Sequence, residues 1–313
     1  MKREIIAAAA LITVGIIAGC SGSGGTGMSI STPAATTTVS GKVADGYLVG
    51  ATVFLDRNRN YLLDAGEPST TSDGSGGYTL NIDPADVGQY PIVALAIKDT
   101  TIDLDTNQPV QSSYVLSMHA VSVSPSATGS VTGSVGNFIS PISTQLREMM
   151  ETGKYETVQQ AADELRVQLG MPQGMNVQAD YVRLGSASSD DPNRVKYQAM
   201  HQAARNMASL MGGQMQQVMG AGAGAATAAS TANNAAPVDV DRYRAMMGGI
   251  FSNISSVKGP NAQSEMTTLM GAMTSTLSAM PMTAPGQPFR NMSSAFRGGM
   301  GGMMTARSGG MMK

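Results

Sequence analysis

Tryptophan is absent from the 313-residue chain, and aromatic residues make up only 4% of it. So few large rings leave a core to be built from aliphatic side chains and methionine. There is one cysteine, Cys20, which excludes an intramolecular disulfide. Charged residues are only 13% of the chain, which leaves little material for acid–base chemistry. No Gly-x-Ser-x-Gly elbow, His-Glu-x-x-His pair, Walker loop or Cys-x-x-Cys-His attachment site occurs. The two histidines, His119 and His201, fall in an alternating strand pattern and on a predicted helix, and both read as packed or surface residues. The paired carboxylates Asp103/Asp105 and Asp190/Asp191 lie in turn-like contexts and read as caps or solvated loops. A non-enzymatic protein is expected.

What is present begins with an export signal. Lys2 and Arg3 precede an apolar segment, Ile5 to Ile17, that has the length of a signal core and is too short to span a bilayer. It ends in Ile17-Ala18-Gly19-Cys20, which resembles the lipobox of bacterial lipoproteins. The resemblance implies cleavage after residue 19 and acyl chains on Cys20, enough for stable attachment to a membrane. Ser21 after the cysteine resembles the pattern sent to the outer membrane; the face on which the protein sits stays open. Residues 20–37 then form a Ser/Gly/Thr-rich tether.

From about 38 to 130 the pattern is of short strands punctuated by Asp-Gly, Gly-Gly and Asp-Pro turns. The β-rich runs are 38–43, 51–55, 78–82, 92–97 and 114–121. Strands at this spacing predict a small antiparallel sandwich. Gly41-Lys42-Val43-Ala44-Asp45-Gly46-Tyr47 through Val53, and Thr71-Ser72-Asp73-Gly74-Ser75-Gly76-Gly77-Tyr78-Thr79-Leu80, resemble carboxypeptidase-regulatory-like and Cna-B/SdrD-B-like domains. That resemblance implies a prealbumin-like β-sandwich of the kind used as stalk, spacer or adhesive module. Some relatives join a Lys and an Asn beside an acidic residue in the core, and Lys42 with Asn81 would be that pair here.

Between the second and third of these strands, Asp56, Asn58, Asn60, Asp64 and Glu67 place oxygen-bearing side chains at positions 1, 3, 5, 9 and 12, with the Leu62 carbonyl at position 7. This is the spacing of an EF-hand calcium loop, in which a hard cation collects six or seven oxygens. Tyr61 stands where glycine usually makes the sharp turn, and Arg57 and Arg59 add positive charge beside the ligands. The alternative is a polar loop rich in Asx turns. Bound calcium would be structural.

Residues 138–280 change to a helical period. Thr157 with Gln160 reads as a capping box, Gly170 as a C-cap, Asp191-Pro192 as N-cap and first residue of a long helix, and Asp239 or Asp241 as the cap of the next. Met200, Ala204, Met207, Met211, Met215 and Val218 form one apolar stripe. An Ala/Gly-rich linker covers 220–237, and a Gly/Met-rich tail predicted to be disordered covers 281–313. Twenty of the 25 methionines follow Gly170. They suit a helical core, a protein-binding surface, oxidant scavenging or, through soft thioethers, Cu(I) or Ag(I).

The whole predicts an α+β, multi-part chain. Its parts are a lipoprotein signal (1–19), a tether (20–37), a prealbumin/Cna-B-like sandwich (38–130), a Met-rich helical region (138–280) and the tail. Residues 21–140 carry ten acidic and four basic side chains and 141–313 eleven and fourteen, so neither half has the charge for nucleic acid. The expected partners are the membrane and an envelope protein or polysaccharide. The alternative is a Met-rich lipoprotein binding a soft metal.

Overall fold

The computed structural model describes residues 36–126, 137–186, 188–219, 238–258 and 262–282. The signal segment, Cys20, the predicted tether as far as residue 35, the linker 220–237 and the tail beyond 282 lie outside the described residues, and the last predicted tether residue, Thr37, opens the first strand. The chain is of mixed α+β type, with strands first and helices after them.

Among the described residues ten strands make three small sheets: β1 (Thr37–Val43), β2 (Leu48–Val49), β3 (Thr52–Leu55), β4 (Ser69–Thr71), β5 (Gly77–Ile82), β6 (Ile92–Ala96), β7 (Ile102–Asp103), β8 (Gln108–Pro109), β9 (Tyr114–Met118) and β10 (Phe138–Ile139). The sheet orders are β10-β1-β5, β2-β7-β8 and β4-β3-β6-β9. Among the described strands every pairing is antiparallel except β1 with β10. In β5 the two-residue period is plain: Tyr78, Leu80 and Ile82 are buried while Thr79 and Asn81 face out. β9 is buried along its whole length, because helices cover it. The run predicted to extend to residue 121 stops at Met118, where His119 accepts from Val121 N and turns the chain into a short 3-10 turn.

Gly41 permits a close approach of backbone to backbone, and Gly76 a tight turn. A Cβ on Gly41 would lie 1.8 Å from the Asn137 carbonyl oxygen, so only glycine lets the lead into β10 lie against β1. Gly76, at φ +73°, turns the Asp73–Tyr78 segment, where the Asp73 carboxylate accepts from Ser75 N and Gly77 N.

Seven α-helices follow among the described residues: α1 (Pro141–Glu151), α2 (Val158–Leu169), α3 (Tyr181–Gly185), α4 (Arg194–Val218), α5 (Val240–Ser252), α6 (Ile254–Lys258) and α7 (Ala262–Ala279). Ser140 and Ser143 form a capping box for α1, Thr157 and Gln160 one for α2, Gly170 ends α2 in the left-handed conformation, and Asp239 caps α5. The start predicted for α4 is two residues early. Asp191 Oδ1 accepts from Asn193 N at 2.7 Å, which makes Asp191-Pro192-Asn193 a side-chain-closed turn, and the helix begins at Arg194.

α1 is buried from Pro141 to Met149 and docks on the outer edge of β9. There Thr144 Oγ1 accepts from Ser117 N at 2.8 Å, Ser143 Oγ donates to Ser117 O at 2.7 Å, and Tyr243 OH from α5 donates to Val115 O at 2.7 Å. The buried apolar side chains of strands and helices form one continuous cluster. Ten methionines after Gly170 are buried in it, so packing accounts for them. Glycines receive two thioethers of α7: a Cβ on Gly213 would lie 2.7 Å from Met270 Cε, and one on Gly249 3.6 Å from Met273 Cγ.

Candidate functional site

The Asp56–Glu67 loop joins β3 to β4 and is closed by its own side chains. Asp56 is fully buried; its Oδ1 accepts from Asn60 N at 3.0 Å and its Oδ2 from Tyr61 N at 3.2 Å. Asn58 Oδ1 accepts from Asn60 N at 3.2 Å and Asn60 Oδ1 from Leu62 N at 2.8 Å, successive Asx turns. Both amide nitrogens then converge on Asp64 Oδ2, at 2.6 Å from Asn58 and 2.7 Å from Asn60. Glu67 joins the two ends, its Oε1 accepting from Arg57 N at 2.7 Å and its Oε2 from Asp64 N at 2.9 Å. Burial pushes the Glu67 carboxyl up, and likewise that of Asp56.

Two non-glycine residues of the loop take the left-handed conformation. Tyr61 has φ +63° and Arg59 φ +62°, each costing on the order of 1 kcal/mol for a non-glycine residue. Tyr61 is held there by its side chain, which is fully buried. Its ring lies 4.7 Å from that of Tyr243, the Arg147 guanidinium sits 4.1 Å above its face, and its hydroxyl donates to Glu148 Oε1. The two loop arginines turn away from the centre: Arg57 pairs with Asp86 at 2.6 Å, and Arg59 approaches Glu151 at 3.9 Å.

By residue type, the oxygen-bearing side chains of this loop are those a hard cation takes. Among the described residues no three His, Cys, Asp or Glu side chains are gathered closely enough to hold a metal ion. Calcium in this loop would need the Asn58 and Asn60 amides to turn their oxygens inward, with the Leu62 carbonyl, Asp56, Asp64 and Glu67 supplying the rest.

Beneath the loop lies an ionic cluster that pattern reading does not find. Arg147 of α1 is fully buried and gives its Nη2 to Asp56 Oδ2 at 3.3 Å. Its neighbour Glu148 is buried too, and its carboxyl is raised by burial despite Arg147 and the Tyr61 hydroxyl. Leu146-Arg147-Glu148-Met149 carries the spacing of an ordinary amphipathic helix, and only the covering helices reveal that its polar face is inside.

A second polar group surrounds Gly46. Asp45 is buried and accepts from Tyr114 OH at 2.7 Å through Oδ2, while Oδ1 has no hydrogen-bond partner among the described residues. Burial pushes its carboxyl up to about 7, the Tyr114 bond opposes this, and Asp103 and Asp105 add to it. Asp105 Oδ2 lies 2.8 Å from His201 Nε2 and 3.6 Å from Arg205 Nε, and the His201 contact holds its carboxyl low. Lys42 and Asn81 do not meet: Lys42 Nζ donates to Ser75 O at 2.7 Å, and Asn81 Oδ1 accepts from Thr38 Oγ1 at 3.1 Å.

No helix among the described residues is long and apolar enough to cross a membrane. Comparison of the chain with protein-family models, with curated proteins and with solved structures finds no match.

Proposed function

We propose that the chain is a membrane-anchored, non-enzymatic lipoprotein of the cell envelope, with Cys20 as the lipid-bearing residue. The observation that carries this reading is Ile17-Ala18-Gly19-Cys20, set between a short apolar segment and a Ser/Gly-rich stretch. Acyl chains on that sulfur hold the protein at the outer membrane. The strands form a prealbumin-type sandwich that acts as spacer or binding module toward another envelope protein or a polysaccharide. The Asp56–Glu67 loop holds a structural calcium ion with the weak affinity of extracellular modules, roughly 0.1–1 mM.

The test is Cys20→Ser followed by fractionation. The variant is expected to lose its lipid and to move from the membrane pellet to the soluble fraction. Unchanged processing and unchanged sedimentation would end the anchor reading. Capture of the lipidated protein from membranes, with polysaccharide and protein fractions assayed separately, then identifies the partner class.

A further inference from the structure

Asp56 belongs to two structures at once. It holds the first ligand position of the loop, and its Oδ2 also takes the guanidinium of Arg147. Arg147 has no exposed surface, and neither its Nε nor its Nη1 has a hydrogen-bond partner among the described residues. The bond to Asp56 is therefore the main direct hold on a buried positive charge. Such a charge neutralises the carboxylate that calcium would need and repels the ion through a poorly screened interior. Glu151 stands 3.9 Å from Arg147 Nε, so a guanidinium leaving Asp56 has a second carboxylate within a small rotation.

We infer that Arg147 is an internal cation that competes for Asp56 and sets how tightly the loop holds calcium. This rests on the calcium reading above. Entry of the ion draws Asp56 off the guanidinium and passes Arg147 toward Glu151. Helix α1 feels the exchange directly, because the adjacent Glu148 is bonded to Tyr61 of the same loop. The loop and α1 then respond to calcium as one unit.

Calorimetric titration of the full chain in detergent with calcium chloride tests this, comparing wild type with Arg147→Met and Arg147→Gln. Glutamine is neutral yet can still donate to Asp56, so it carries the test if the methionine variant does not fold. Removal of the competing charge is expected to tighten calcium binding at least about tenfold in the folded variants. Calcium binding by wild type with equal or weaker binding by Arg147→Gln overturns the competition and leaves the calcium reading standing. No heat from any of the proteins up to about 10 mM calcium overturns the calcium reading itself, and the competition with it.

Discussion

Tyr61 and Glu148 stand 87 positions apart in the chain and share a hydrogen bond inside the core. One belongs to a polar loop and the other to a helix, and both are almost wholly removed from water. Tyr61→Phe keeps the ring and removes the donor, leaving a buried carboxyl without it. The expected loss is about 1–3 kcal/mol, read from urea unfolding followed by far-ultraviolet circular dichroism. Tyr61→Gly relieves the positive φ, worth about 1 kcal/mol, but deletes the ring, worth about 3–5 kcal/mol, and is expected to be the more damaging change. A glycine variant as stable as wild type would show that the ring does not hold the loop.

Asp45 gives the fold a pH dependence of definite sign. The folded protein keeps that proton up to about 7, whereas the unfolded chain releases it near 3.8. Below the lower value both states are protonated and no difference arises. As pH rises through the interval the unfolded state ionises first, so stability falls, and above about 7 the loss is complete. Its size is on the order of 4 kcal/mol. Asp45→Asn, which can still accept from Tyr114, should match wild type at pH 4 and exceed it at pH 8. Parallel stability profiles for the two proteins would contradict the assignment.

Gly41→Ala is expected to be severe for a one-carbon change. The new methyl meets a backbone oxygen at 1.8 Å, and a backbone oxygen cannot turn aside as a side chain can. Separation of β10 from β1 should cost about 3 kcal/mol or more, visible as a lowered denaturation midpoint. A change within about 0.5 kcal/mol would show that the two segments do not lie this close.

The strand-rich segment alone should not fold well. Cut at residue 130, it loses β10, the Ser143 and Thr144 bonds to Ser117, and the Tyr243 bond to Val115. It also uncovers the Tyr61 ring and orphans Asp56 from Arg147. A 38–130 fragment is expected to aggregate on size-exclusion chromatography and to show no cooperative melting. A monomeric fragment with a sharp transition would refute this.

Local signals are legible in the sequence because their causes are local. The five β-rich runs, the Thr157–Gln160 box, the Gly170 cap and the methionine stripe each depend on neighbours within a few positions. The side chains of Asn58, Asn60, Asp64 and Glu67 bond within their own loop for the same reason, since they lie a few positions apart. Two-residue strands such as β2, β7 and β8 leave no period to detect. Arg147, Glu148 and Asn137 carry no such local signal, on different grounds. Arg147 and Glu148 are buried by helices met later in the chain. Asn137 bonds to Ser40 O, 97 residues earlier, as well as to Ser124 O. No pattern within a short window records such partners.

At β9, hydroxyl groups of Ser143, Thr144 and Tyr243 take up backbone positions that a neighbouring strand would otherwise fill. A stray extended peptide, or the same segment of a second copy, therefore meets a rung already capped. Fibre growth by strand addition is blocked on that side without any charged gatekeeper, and the block lasts only while the helices stay in place.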